Sequence, residues 1–322
     1  MKNKKTVLSI ILFSLTFFLH SIELTSFSFE PEFGFLNGTI VENVWYADTD
    51  HSGTKVTYTA STKLSRLDWQ LENLPYFGAD IKAVLGKKLL CNFSFQSAIS
   101  GKYGKMEDYD WKKSYDPDHL TNYSIHTNSI EQYTNINFGL GYIFSLNAAF
   151  PISITPEFCI SVMNFDFKGL GGYKKYESDN WQKYYFDQDD TVIEYTQAYV
   201  APQLSVSTDF DFTKHFETLL KLGITYNNKY NAYDMHEKRH EYFNDRIENS
   251  VILEAQLKLY FKFLENHKIG LKGTVNYMPD AYGFTYYSSS TLNDFSDSPM
   301  GGTLGGTSHL LFTYALVYQF KF

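Results

Sequence analysis

The 322-residue chain has only two cysteines, Cys91 and Cys159, too few for a disulfide scaffold. Basic residues are in deficit: 28 Lys and Arg against 36 Asp and Glu give a net charge of −8. That balance argues against nucleic-acid binding, which shows a basic excess or a basic face. Outside the N-terminus no apolar run approaches the about 20 residues of a membrane-spanning helix. Aromatic residues, by contrast, are abundant, with 26 Tyr, 28 Phe and 4 Trp.

Three lysines within Met1–Lys5 precede an apolar stretch, Thr6–Leu19, broken only by Thr and Ser. This charged segment followed by a short apolar one reads as an export signal rather than an anchor. Cleavage is expected between His20 and Ser26, so that residues 1–26 are the signal and 27–322 the mature single domain. The mature part alternates with period two. Leu253, Ala255, Leu257, Leu259, Phe261 and Phe263 interleave with Glu254, Gln256, Lys258 and Lys262. Leu89–Ser100 and Leu310–Phe322 do the same, which is the signature of strands with one apolar face. A soluble sandwich would alternate in the same way. Connection length separates the two. Short turns are expected near Gly86–Lys87, Asn147–Ala149, Asp211–Lys214 and Glu265–Lys268. Long polar loops are expected near Ala47–Thr59, Lys112–Tyr123, Lys174–Asp190, Asn228–Asp245 and Tyr287–Gly302. Short and long connections take turns, as in an outer-membrane barrel with tight turns at one end and long loops at the other. The expected fold is all-β, a ten-stranded antiparallel transmembrane β-barrel. Its strand segments of about 20 residues exceed the 9–11 that cross a bilayer, so the barrel should rise well above the membrane on the extracellular side. The C-terminal Phe322 suits a chain handled by the outer-membrane insertion machinery.

Two short constellations carry candidate chemistry. Asp108 and Asp110 are two apart on an expected strand and so share a face. Counted from Phe93 and Phe95 as lipid-facing, that face is the lumen. Mutual repulsion should raise one of their pKa values and allow a shared proton. An acidic loop edge would look the same locally. Asp234 and His236 form an Asp-x-His pair suited to a general base, the carboxylate orienting the imidazole. Phe216, Leu220, Leu222, Ile224 and Tyr226 have the same parity as this pair, so a straight strand would aim it at lipid. A bulge between Tyr226 and Asp234 is required to turn it inward. His236-Glu237-Lys238-Arg239-His240 matches H-E-x-x-H, but that zinc motif needs a helix and no helical pattern surrounds it. No metal is therefore expected. His126, His215 and His309 are scattered and read as structural, and no nucleophile elbow, phosphate loop or dinucleotide fingerprint occurs.

Leu64-Ser65-Arg66-Leu67-Asp68-Trp69, then Asp108-Tyr109-Asp110-Trp111, then Asp234-Met235-His236, then the Phe322 end resemble the omptins, ten-stranded outer-membrane endopeptidases. The resemblance runs from about Phe27 to Phe322. It implies that Asp108 and Asp110 match the family's carboxylate couple and that Asp234 and His236 match its dyad. It implies hydrolysis without a covalent nucleophile: His236 as base, Asp234 orienting it, Asp108 helping to hold the water, Asp110 supporting Asp108. Gly38-Thr39-Ile40-Val41-Glu42 resembles the first-strand segment, and Glu42 falls on the acidic P1-pocket residue. Ala232 and Asn122 stand where two further acidic subsite residues would be. Losing each could cost about 1–3 kcal/mol of selectivity, and Arg or Lys at P1 is expected through Glu42. Ile160–Phe167, matching the family's lipopolysaccharide-binding stretch, holds neither Arg nor Glu. No cofactor is expected, and dependence on lipopolysaccharide is open. The expected partners are outer-membrane lipids and peptide or protein substrates, with the chain a monomer in the cell outer membrane and its site facing outward. A catalytically weak adhesin or binding barrel is the alternative, ahead of a zinc protease using His236 and His240. A pore is disfavoured because ten strands leave little lumen.

Overall fold

In a computed structural model the described residues are 23–322 except 53–54, 114, 147–150 and 293. The expected signal segment falls almost wholly outside them, as does the Asn147–Ala149 turn. Thirteen strands are present: β1 (Leu24–Ser52), β2 (Lys55–Leu85), β3 (Leu89–Ala98), β4 (Gly101–Asp110), β5 (Asn122–Tyr142), β6 (Phe144–Leu146), β7 (Ile152–Tyr176), β8 (Lys183–Tyr185), β9 (Thr191–Asp211), β10 (Phe216–His236), β11 (Glu241–Leu264), β12 (His267–Ser288) and β13 (Thr303–Lys321). β1 starts at Leu24, ahead of the expected domain start at Phe27.

Every pairing is antiparallel, and β1 pairs with both β2 and β13, which closes the sheet. β3 and β4 both pair with β2 on one side and β5 on the other, so they act as one stave. β6 and β8 are short additions to β7. The result is a ring of ten staves, the number that four short turns and five long loops implied. Among the described residues each of the ten staves is paired on both sides, the condition for a sheet to sit in lipid.

The alternating faces are inverted relative to a water-soluble sheet. On β11, Leu253, Leu257, Leu259, Phe261 and Phe263 point out and are exposed, while Lys258 and Tyr260 are buried. On β13, Leu310, Phe312, Tyr314, Leu316 and Tyr318 are exposed, while Leu311, Ala315 and Val317 are buried. Phe29, Phe33, Phe77, Phe138, Phe158, Leu204, Leu222 and Ile269 continue the belt around the ring. A continuous apolar belt spanning about 9–11 residues of strand is a lipid-facing surface.

Inside the belt an ionic layer crosses the lumen, with cavities of about 80 and 230 Å³ beside it. Lys258 donates to Asp80 at 2.5 Å and also to Glu30, Lys272 donates to Glu32 at 2.8 Å, and Tyr260 and Gln319 both donate to Glu30. Above this ionic layer lies an aromatic one. Trp69 stacks on Phe167 and Tyr195 with ring centroids 5.5 and 5.9 Å apart. Trp69, Phe165, Phe167 and Tyr195 are fully buried. Strand β1 reads out the layers in order: Glu30 and Glu32 in the ionic layer, Leu36 and Ile40 among the aromatics, Glu42 at the top.

Two expectations about connections need correction. Ala47–Thr59 and Asn228–Asp245 are mostly strand rather than long loop. Residues Ala47 to Ser52 pair with Ala60 to Lys55, and β10 and β11 pair up to His236 and Glu241. Above the belt the outer face of β10 carries Asn228, Lys229 and Asn231 in place of apolar residues, so the apolar alternation disappears while the backbone pairing persists. The Lys174–Asp190 stretch likewise contains β8 and a 3-10 turn, Glu177–Asp179.

Candidate active site

The site lies at the long-loop end, beyond the apolar belt, where seven staves converge. β10 supplies Asp234 and His236, β4 supplies Asp108 and Asp110, β1 supplies Glu42, and β11 and β12 supply Asp245 and Thr285. These side chains line one open cavity of about 300 Å³ together with Ser65, Leu67, Arg239 and Phe243.

β10 reaches the cavity only through a bulge. Thr225 pairs with Gln203 and Asn231 with Ala198, so β10 carries one residue more than β9 over that interval. Asn228 and Lys229 are consecutive exposed residues. Tyr226 is exposed below the irregularity, whereas Tyr230, Ala232 and Asp234 are buried above it. The face therefore switches where the parity of the sequence required it. On β11 the switch is matched at Asn249, whose φ is 53°, so the β10–β11 register runs on unbroken.

His236 Nε2 lies 2.8 Å from Asp234 Oδ2, with Asp234 buried. Arg239 Nη2 lies 2.5 Å from His236 Nδ1. A guanidinium has only donors, so Nδ1 must be the accepting nitrogen and Nε2 carries the hydrogen given to Asp234. Phe243 packs edge-on against the ring at 5.6 Å. The imidazole is thus neutral, held in one tautomer and wedged from the side.

Across the cavity Ser65 Oγ contacts Asp108 Oδ1 at 3.5 Å, while Asp110 Oδ2 accepts from Asn122 at 2.8 Å and pairs with Lys112 at 3.1 Å. Asn122 is the cross-strand neighbour of Asp110, so this subsite candidate is tied to the carboxylate couple. Burial, reinforced by Asp110, pushes Asp108 up to about 7. Desolvation, rather than the mutual repulsion expected of the couple, is the larger cause. Glu42 is 2% exposed and its Oε2 lacks a hydrogen-bond partner. Burial, then the carboxylates of Asp234, Asp245 and Asp108, hold it well above the usual range.

The H-E-x-x-H stretch is not a helix. His236 ends β10, and Glu237–His240 form the turn into β11, with His240 exposed at φ 54°. His126 is buried in the wall of a neighbouring cavity, both ring nitrogens occupied, by Gly171 O and Ser124 Oγ. His309 is likewise buried and bonded to Asn276. Two cavity residues escaped sequence reasoning. Arg239 was visible only as the fourth letter of the zinc motif, and Asp245 carried no motif at all.

An apolar belt, a bore crossed by ionic and aromatic layers and an open acidic cleft at one mouth define a membrane-type β-barrel with its candidate site at the rim. The family model described as the Omptin family matches residues 23–322. The chain belongs to the omptin family, and so to the outer-membrane proteases. Among solved structures, the outer membrane protease OmpT from Escherichia coli superposes with a TM-score of 0.80 at 17% identity, covering 94% of this chain and 98% of that one. A FadL homologue from Pseudomonas aeruginosa (TM-score 0.28, 6% identity, 92% and 90% covered) and the toluene transporter TodX from Pseudomonas putida (0.33, 8%, 93% and 91%) overlap only in being barrels. No match is found among curated protein sequences.

Proposed function

We propose that the cleft hydrolyses peptide bonds of substrates outside the cell with a water activated by His236, without a covalent nucleophile. The observation that carries this reading is the oriented Asp234–His236 pair, at 2.8 Å, facing Asp108 across one cavity. Nδ1 is the basic nitrogen, since Nε2 is committed to Asp234. The attacking water takes the position beside Nδ1 that Arg239 Nη2 fills at rest, and the guanidinium turns away while its Nε keeps Glu241, its partner at 2.9 Å. As water attacks the carbonyl carbon, its proton passes to Nδ1 and Asp234 stabilises the imidazolium. The same proton then goes to the departing amine as the C–N bond breaks. Asp108 holds the water from the opposite side. Asp110 stays tied to Asn122 and Lys112 and keeps Asp108 in place. Glu42 receives a basic P1 side chain.

The test is cleavage of fluorogenic peptides by protein refolded into lipopolysaccharide-free and lipopolysaccharide-containing micelles. Turnover of an Arg-containing peptide, lost in His236→Ala with the barrel still folded, is the expected result. A folded wild-type barrel that binds peptides but cleaves none in either micelle would favour the adhesin reading.

A further inference from the structure

Position 232, on the cavity face of β10, is an alanine, fully buried. Its cross-strand partner on β11 is Asp245, and directly opposed residues on one face of an antiparallel pair sit about 5 Å apart. Asp245 is 3% exposed and lines the same cavity as Glu42, Asp234 and His236. Thr285 donates to its Oδ1 at 2.6 Å. The barrel wall is cut away for this carboxylate: a Cβ on Gly305 of β13 would lie 2.0 Å from Asp245 Oδ1. Asp245 therefore reaches over β13 toward β1, where Val44 is paired with Gly305 and Glu42 follows the same face.

The cationic side chains in the cavity wall are engaged elsewhere. Lys112 pairs with Asp110 and Arg239 with Glu241. Glu42 Oε2, nearly inaccessible, has no partner. Two buried acids thus share a cavity large enough for a long side chain and lack a cation of their own. Burial pushes Asp245 up to about 7 and Glu42 well above its usual range, so each is costly to ionise until a cation arrives.

We propose that Asp245 is a specificity-determining residue which, with Glu42, forms a buried acidic subsite for the guanidinium or ammonium of a basic substrate side chain beside the scissile bond. Asp245 supplies from β11 the negative charge that position 232 of β10 does not. The proposal rests on the peptide-hydrolysis reading for its substrate, while its binding half is testable without turnover.

The experiment compares two peptides differing only in Arg or its uncharged isostere citrulline at P1. Asp245→Asn keeps the shape and the Thr285 contact, and should lower the Arg/citrulline ratio of kcat/KM by roughly 10- to 100-fold. Gly305→Ala, which displaces the carboxylate without removing its charge, should lower the ratio as well. In parallel, calorimetry measures argininamide binding to His236→Ala and to His236→Ala/Asp245→Asn. Tenfold or greater weakening in the second protein supports the subsite even where no peptide is cleaved, an outcome that refutes the hydrolytic reading alone. An unchanged Arg/citrulline ratio overturns the proposal. Where no peptide is cleaved, argininamide that fails to bind, or binds both proteins equally, overturns it too.

Discussion

The barrel contains two buried clusters of charge built from similar residues and wired in opposite ways. In the lumen, Glu30, Glu32 and Asp80 meet Lys258 and Lys272 in short contacts, and Tyr260, Gln96 and Gln319 fill remaining acceptor positions. At the rim, Glu42, Asp108, Asp234 and Asp245 crowd one cavity, and Glu42 Oε2 and Asp234 Oδ1 lack partners. The lumenal carboxylates are matched by cations, and the cluster ties β1, β2, β11 and β12 together across the bore. The rim cluster is left short of positive charge, and its carboxylates stay strained in energy until substrate, water or proton supplies what is missing. Buried carboxylates alone say little about function; the balance of their partners says a good deal.

The sharpest way to break this contrast is to remove the one group of the rim that is fully oriented. His236→Ala should lower kcat by roughly 10²–10⁴-fold, the usual contribution of a general base. Urea midpoints and heat-modifiable mobility should stay close to wild type, because the ring lies at the end of β10 against an open cavity, with Phe243 beside it. Asp234→Ala should be comparably impaired, and the double variant no worse than the poorer single one, since the two act as a unit. A fully active, folded His236→Ala protein refutes the mechanism.

The complementary change strikes the lumen. Lys258→Met leaves Glu30 and Asp80 facing one another without their shared cation. Breaking a buried pair on one side costs about 3–5 kcal/mol. Urea unfolding in lipid vesicles should register a loss of that size. Activity of the protein that remains folded should change little, because the aromatic layer of Trp69, Phe167 and Tyr195 separates the two clusters.

Much of this contrast was readable beforehand, and the unreadable part has a common cause. Val251–Phe263 announced its strand because lipid on one side and a polar lumen on the other enforce alternation. Asp234 and His236 announced a bulge because their parity conflicted with Leu222, Ile224 and Tyr226. Ala47–Thr59 was misread because its polar sequence shows no apolar alternation, although its backbone pairs from Ala47–Ala60 to Ser52–Lys55. Lys258 was legible as a lumen-side residue, but its partners Glu30 and Asp80 lie 228 and 178 positions away. Asp245 escaped for the same reason: its importance comes from register, which places it opposite Ala232 and over Gly305.

Neutralising a rim carboxylate should have the opposite sign to neutralising Lys258. The folded-state pKa of Asp245 is raised to about 7 by burial, against about 3.9 for an exposed aspartate. A raised acid binds its proton more tightly in the folded barrel. The stability from that protonation is full below about 4 and is lost as pH rises through about 7. Asp245→Asn should therefore match wild type at acid pH and exceed it above neutrality, by on the order of 2–4 kcal/mol. Paired urea titrations at acid and alkaline pH check this. A variant less stable than wild type at both would mean that the carboxylate is satisfied in the folded state, and the rim would then resemble the lumen.

The smallest effect is expected at His240, and its smallness is informative. If H-E-x-x-H bound zinc, His236 and His240 would have to share one face of a helix turn, and both would be essential. Instead the pair straddles a tight turn at the tip of the β10–β11 hairpin. His240 is exposed there, with a left-handed backbone that brings no ring nitrogen onto His236's side of the cleft by helical spacing. His240→Ala should thus leave kcat/KM within about twofold, the range of ordinary surface changes. EDTA should leave it intact as well, whereas His236→Ala, four residues away, removes nearly all of it. Loss of activity in EDTA, restored by added zinc and abolished in His240→Ala, would transfer the catalytic role from the Asp234–His236 pair to a metal and undo the assignment of the rim acids to water and substrate.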